Sequence, residues 1–130
     1  MQWGEGKNAG FGEGKTSLLV NPNYLEGNVT KDLSKHYSII RFYQALIALR
    51  KKHDVLINGL YDDMNVDSDE YYLYQRFNQK EAIFVVGNFT DHNLKIKLPF
   101  KDGQLILNNL DEDQDFFLPY QVKVYYVKKE

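Results

Sequence analysis

Ser38–Lys52, SIIRFYQALIALRKK, decides how the chain is read, because it is the stretch with a clear helical pattern. At ~100° per residue, Ile39, Ile40, Phe42, Tyr43, Leu46, Ile47 and Leu49 cover an arc of roughly 180°, against the ~100° stripe of an ordinary surface helix. A helix so patterned needs neighbours on more than one side. Ser38 is placed to cap it, its hydroxyl accepting from a free N–H of the first turn. Arg50, Lys51 and Lys52 put positive charge at the negative end.

Upstream, residues 1–37 carry no sustained periodicity. Gly4, Gly6, Gly10, Gly12, Gly14 and Gly27, with Asn21-Pro22-Asn23, punctuate them as turns, so a long structured loop is expected. A loop of that length is improbable in a small domain unless it is functional or lies on a larger body. Downstream, Val55–Tyr61 alternates weakly, Tyr71–Phe77 more clearly, and Ala82–Phe89 is a near-continuous apolar run suited to a central strand. Leu94-Lys95-Ile96-Lys97-Leu98 alternates strictly, so one side faces a core. Leu105–Leu107, Phe116–Leu118 and Val122–Val127 bring the expectation to about seven short strands in an antiparallel sandwich, a mainly β fold with one N-terminal helix. Tyr71 and Leu73 point to one sheet face, Tyr72 and Tyr74 to the other; one pair is expected in the core.

The composition narrows the function. With 16 basic and 18 acidic residues and no basic block, nucleic acid and anionic membranes are poor partners. The absence of cysteine removes disulfides, thiolate metal sites and cysteine catalysis. There is neither a signal-like start nor a run near the ~20 apolar residues that span a bilayer, and the expected location is cytoplasmic. Asp111, Asp113 and Asp115 have calcium-loop spacing, but Phe116 stands where that loop needs glycine and no glutamate closes it, so a solvated turn is expected. Asp62, Asp63, Asp67, Asp69 and Glu70 read as a second charged turn rather than a catalytic pair. His36, His53 and His92 lack ligand spacing, and Ser17, Ser34, Ser38 and Ser68 lack a nucleophile's strained glycine context. No metal, cofactor or catalytic residue is assigned.

The ordered set Met1-Gln2-Trp3, Asn8-Ala9-Gly10-Phe11, Val20-Asn21-Pro22-Asn23-Tyr24, Asn28-Val29, then Tyr43 and Leu46-Ile47-Ala48-Leu49-Arg50-Lys51 resembles one family. It is similar to the C-terminal part of the oligo-1,6-glucosidase, α-glucosidase and dextran glucosidase group within the α-amylase family of glycoside hydrolases. The resemblance is dense over residues 1–53 and looser beyond. It departs from the family at Gly4, where Asp or Asn is usual, and at Thr16-Ser17, where Pro-Trp is frequent. It implies that 1–37 is a rim loop of a (β/α)8 barrel, that 38–53 is the last barrel helix, and that 54–130 is the sandwich domain after it. Retaining hydrolysis of α-glucosidic bonds, of the α-1,6 kind in oligosaccharides, is implied for the parent. Its carboxylates, roughly 5–5.5 Å apart, lie on strands outside these residues, so the chain alone is expected to be inactive.

Trp3 and Phe11 could stack on a sugar, with Gln2 and Asn8 donating to its hydroxyls, once the barrel is present. The favoured alternative is that both aromatics anchor the loop on the helix. The partner expected at Ser38–Lys52 is the parent barrel or a second copy in a homo-oligomer, with Phe42, Leu46 and Leu49 the surface to be covered. Another reading of the whole is a carbohydrate-binding or purely structural β-sandwich, with α-glucan bound at Tyr72 and Tyr74.

Overall fold

The computed structural model describes residues 1–64 and 67–129. Residues 65, 66 and 130 of the expected 54–130 domain therefore lie outside the described residues. The chain forms two compact units, 1–46 and 47–130, and the division falls within the helix on which the sequence reading turns.

In the first unit the expected long loop contains more regular structure than its glycines suggest. It holds a left-handed turn at Lys7–Gly10, a 3-10 turn at Pro22–Leu25 and a short helix α1, Val29–Ser34. Local caps explain the difference. Asn28 Oδ1 accepts from Lys31 N at 2.9 Å while its Nδ2 donates to Tyr24 O at 2.8 Å, so one buried amide starts the helix and ties down the preceding turn. Main-chain bonds close the segment on itself. Trp3 N donates to Ala9 O at 2.8 Å, and Val29 N and Thr30 N donate to Gln2 O and Trp3 O at 2.9 and 3.1 Å.

Helix α2, Ile39–Lys52, matches the predicted stretch. Ser38 caps it as expected, its Oγ accepting from Arg41 N at 3.2 Å, and Asp32 completes the cap from outside the helix. The Asp32 carboxylate accepts from Ser38 Oγ at 2.7 Å and from Ile40 N at 2.9 Å. The helix has no fully buried residue; Phe42, Leu46 and Leu49 are half-buried.

The second unit is built on one antiparallel sheet. Its strands are β1 Leu60–Asp63, β2 Tyr71–Phe77, β3 Glu81–Asn88, β4 Gln104–Asn108 and β5 Val122–Lys128, in the order β1-β2-β3-β5-β4. The apolar run around Ala82–Phe89 is the central strand, as its composition predicts. Ala82, Phe84 and Val86 pack on one face with Leu73, Ile96, Phe117 and Tyr125. Ile83 packs on the other with Val55 and Val124, joined by Leu49 and Tyr126. Tyr71 and Leu73 thus join the first face, and Tyr72 and Tyr74 the opposite one.

Five strands are present among the described residues where about seven were expected. Val55–Asn58 is a short helix, α3, closed by Gly59, so the weak alternation at 55–61 spans a helix and the start of β1. Leu94–Leu98 keeps its alternation of burial, with Ile96 buried between exposed Lys95 and Lys97, yet it forms no ladder beyond a single bridge from Leu94 to Phe117. The reason is that alternation reports which side faces a core, whereas a strand also needs a hydrogen-bonded neighbour along its length. Pro99, which has no N–H to donate, follows at once. Phe116–Leu118 is the other half of that bridge.

Candidate functional site

The first unit carries an open cavity of about 660 Å³, lined by residues drawn from 1–21. Of the four residues assigned to a sugar from sequence, Gln2, Asn8 and Phe11 meet there, while Trp3 is not in the lining. Phe11, 71% exposed, is not an anchor, whereas Trp3, 47% exposed, keeps about half of its surface covered. Hydrogen bonds also hold the loop.

Those bonds change the roles expected of the two amides. Asn8 Nδ2 donates to Gly12 O and Gly14 O, both at 2.7 Å, and Lys7 Nζ donates to Glu13 O at 2.7 Å. Three consecutive carbonyls are thereby held by two adjacent side chains, which makes residues 11–14 a closed strap. The strap starts from strained backbone. Asn8 and Ala9 have φ of 54° and 55°, and Gly10 follows at 74°. Asn8 tolerates this region and glycine prefers it, but for Ala9, which is buried, it costs of order 1 kcal/mol. Gln2 Nε2 likewise donates to Gly27 O. Asn8 thus spends both amide N–H groups on the wall and Gln2 one of its two, so Asn8 Oδ1, Gln2 Oε1 and the second Gln2 N–H are what remains for a ligand.

Sequence reasoning did not assign Lys15, Thr16 and Ser17, which also line the cavity. The only signal for them was the departure from Pro-Trp at Thr16-Ser17. Nearby carboxylates have partners of their own. Glu5 pairs with Lys31 at 2.7 Å, and Glu13 lies 3.8 Å from Lys7 with its side chain 91% exposed.

Several of the other polar groups singled out from sequence have partners within the structure. Asp113 accepts from the fully buried Lys123 at 3.0 Å, whose ammonium also donates to Gln114 O at 2.9 Å and lies 4.9 Å from the Phe117 ring centroid. Asp115 faces Lys95 at 3.4 Å, and Asp62 accepts from Gln75 at 3.0 Å. His53 stacks on Tyr126 with centroids 5.5 Å apart, and His92 lies 3.3 Å from Asp91 and 4.0 Å from Glu70. Ser34 Oγ donates to Lys31 O, and Ser68 Oγ accepts from Glu70 N.

In the second unit Tyr61, Tyr72 and Tyr74 cluster on one sheet face. Their ring centroids are 5.5 Å (Tyr61–Tyr74) and 5.4 Å (Tyr72–Tyr74) apart, and the Tyr61 and Tyr72 hydroxyls share a hydrogen bond. That bond, with desolvation, pushes Tyr61 up to about 12. Burial raises Tyr74 as well.

Residues 1–59 match the α-amylase catalytic-domain family, and the match stops one residue before β1. An oligo-1,6-glucosidase of Halalkalibacterium halodurans is 39% identical over 100% of this chain and 25% of its own length. That of Heyndrickxia coagulans is 36% identical over 99% and 24%. Among solved structures, isomaltulose synthase from Klebsiella superposes with a TM-score of 0.86 at 29% identity, covering 96% of this chain and 24% of that one. Trehalose-6-phosphate hydrolase from Bacillus licheniformis gives 0.86 at 30%, covering 98% and 25%. The antiparallel sheet with its leading helices thus has the form of a segment of a carbohydrate-active enzyme. By sequence and by fold the chain belongs to the α-amylase family of glycoside hydrolases, in the oligo-1,6-glucosidase group, and it spans about a quarter of the length of the curated relatives it matches. No helix among the described residues is long and apolar enough to cross a membrane.

Proposed function

We propose that these 130 residues are the C-terminal, non-catalytic portion of an α-glucosidase-type hydrolase that cleaves α-glucosidic bonds, of the α-1,6 kind, in oligosaccharides. The observation that carries this is where the family match ends. Residues 1–59 match only the end of a catalytic-domain family, and the sheet follows directly, which supports a piece that lies after the catalytic carboxylates. In this reading the sheet serves structure, and the cavity with Gln2, Asn8 and Phe11 contributes a rim to an active site whose two carboxylates lie in the rest of that domain. The partner of α2 is that remainder or a second copy of the chain. The balanced charge and cysteine-free sequence fit a cytoplasmic setting.

The second reading, a glycan-binding sheet, has one observation in its favour, the tyrosine cluster of Tyr61, Tyr72 and Tyr74. A single preparation decides between them. The purified chain is expected to release no product from isomaltose or a nitrophenyl α-glucoside, and turnover would overturn the non-catalytic reading. Saturable calorimetric binding of α-glucan that disappears in Tyr72→Ala/Tyr74→Ala would move the assignment to the sheet.

A further inference from the structure

We propose that Asn58-Gly59 is a site of spontaneous deamidation, held in check while α3 is closed, and that its conversion unseats the junction between α3 and β1. It is the one Asn-Gly pair in the sequence.

The chemistry is intramolecular. The Gly59 nitrogen attacks Cγ of Asn58, and the new N–C bond closes a five-membered succinimide. The Cγ–Nδ2 bond breaks, and the departing nitrogen leaves as ammonia with the proton that Gly59 gives up. Water then opens either carbonyl of the ring, which yields aspartate or, with the main chain rerouted through Cβ, isoaspartate. Glycine in second place makes the attack easiest, because no Cβ shields its nitrogen. The fold itself demands that glycine. A Cβ on Gly59 would stand 2.3 Å from Val55 O and 3.0 Å from Phe77 O. The turn from α3 into β1 thus requires the residue that makes Asn58 labile.

The same turn keeps the reacting groups apart. Gly59 N donates to Val55 O at 3.1 Å, and Asn58 N donates to Asp54 O at 2.9 Å. Asn58 Nδ2 donates to Asp54 Oδ1 at 2.6 Å, which holds the side-chain amide back along the helix, toward residue 54 and away from residue 59. Ring closure takes the backbone at Asn58 out of helical values, so these bonds must break first. Val55, wholly buried with Ile83 and Val124, keeps α3 seated. Arg76 adds a second hold, its guanidinium donating to Ile57 O at 3.2 Å. Asn58 itself is exposed, so water and base reach it once α3 opens.

Neither product fits the closed turn. Aspartate at position 58 replaces the hydrogen bond to Asp54 with two like charges one helical turn apart. Isoaspartate adds an atom to the main chain directly before a residue that has no room, and so displaces Leu60 from its place opposite Phe77. Conversion therefore favours the open form that allows it.

The test incubates the full chain in mildly alkaline buffer, native and in unfolding urea, and follows position 58 by peptide mapping with mass spectrometry. In urea Asn58 should convert to isoaspartate and aspartate. In the native chain conversion should be about tenfold slower or more, the factor being set by the fraction of molecules in which α3 is open. Val55→Ala, which loosens the hold on α3, should raise the native rate several-fold. Urea below the unfolding transition should do the same to the parent chain, because Val55 leaves the core when α3 opens. Asn58→Gln, which would have to close a larger ring, should convert far more slowly in urea. In the aged native chain the amide shifts of β1 should change in the converted fraction while those of β3 and β5 stay. Equal rates in the native and unfolded chain would overturn the check by α3, and no conversion in urea would remove the site. Unchanged β1 shifts in converted chain would overturn the unseating of the junction.

Discussion

Asp32 shows how much a single side chain can organise. It lies in α1, yet it accepts from Ser38 Oγ and from the N–H groups of Ile39 and Ile40, the free donors at the start of α2. Those bonds favour the ionised carboxylate, first through Ile40 and then Ser38, and hold Asp32 below the ordinary carboxylate value. The sign of its effect on stability follows. A carboxyl with a lowered folded pKa contributes stability that is fully present above its unfolded value, and that contribution is lost as pH falls through the folded one. Asp32→Asn should therefore unfold more readily than the parent at neutral pH. The gap should begin to close below about pH 4 and vanish in stronger acid. Denaturant midpoints of both proteins across that range check it. A gap that stays constant with pH would assign the effect to shape and not to charge.

At the scale of elements, the sequence was informative wherever one signal both formed and placed a segment. Ser38–Lys52 has its cap, its apolar arc and its terminal charges in the sequence, and it is the helix found. Ala82–Phe89 needs burial on both faces, which only a central strand provides, and it is β3. The strand reading failed where pairing decides. Lys95 and Lys97 face out and Ile96 faces in, as read, but a ladder partner lies elsewhere in the chain and alternation cannot name it. The site was half legible for a similar reason. Gln2, Asn8 and Phe11 were singled out for their chemistry and line one cavity, whereas the commitment of Asn8 to Gly12 and Gly14 depends on left-handed backbone at Asn8 and Ala9 that no residue pattern declares. The α3–β1 junction was missed entirely, and its cause is a close approach. A Cβ on Gly59 would stand 2.3 Å from Val55 O and 3.0 Å from Phe77 O, both of them backbone atoms that cannot turn aside. Gly59→Ala should cost about 1–3 kcal/mol or more by overpacking. In urea unfolding it should be more damaging than Gly12→Ala on the strap, where an added Cβ meets nothing within 4 Å.

Over the whole molecule, the two units are held by different physics. In the first, Ala9 is the buried apolar residue among those described, and order comes from hydrogen bonds between amide side chains and the main chain, as at Asn8 and Asn28. In the second, Val55, Ile83 and Val86 are fully buried on the two faces of the sheet, each contributing about 1.5–3 kcal/mol. Hydrogen bonds exchange protein partners for water at a net gain of only about 1 kcal/mol each, so a unit without an apolar core opens more easily than one with it. Native-state hydrogen exchange should separate the two. Amides of β3 and β5 should exchange only through global unfolding, and those of residues 1–30 through local openings of much lower free energy, insensitive to denaturant. Limited proteolysis should first cut in the exposed stretch 11–19. Equal protection in both units would mean that the first is stabilised by burial this chain does not display. Added segments of a catalytic domain should instead raise protection in residues 1–46 selectively, because apolar side chains such as Leu18, Leu19, Ile39 and Tyr43 are there to be covered.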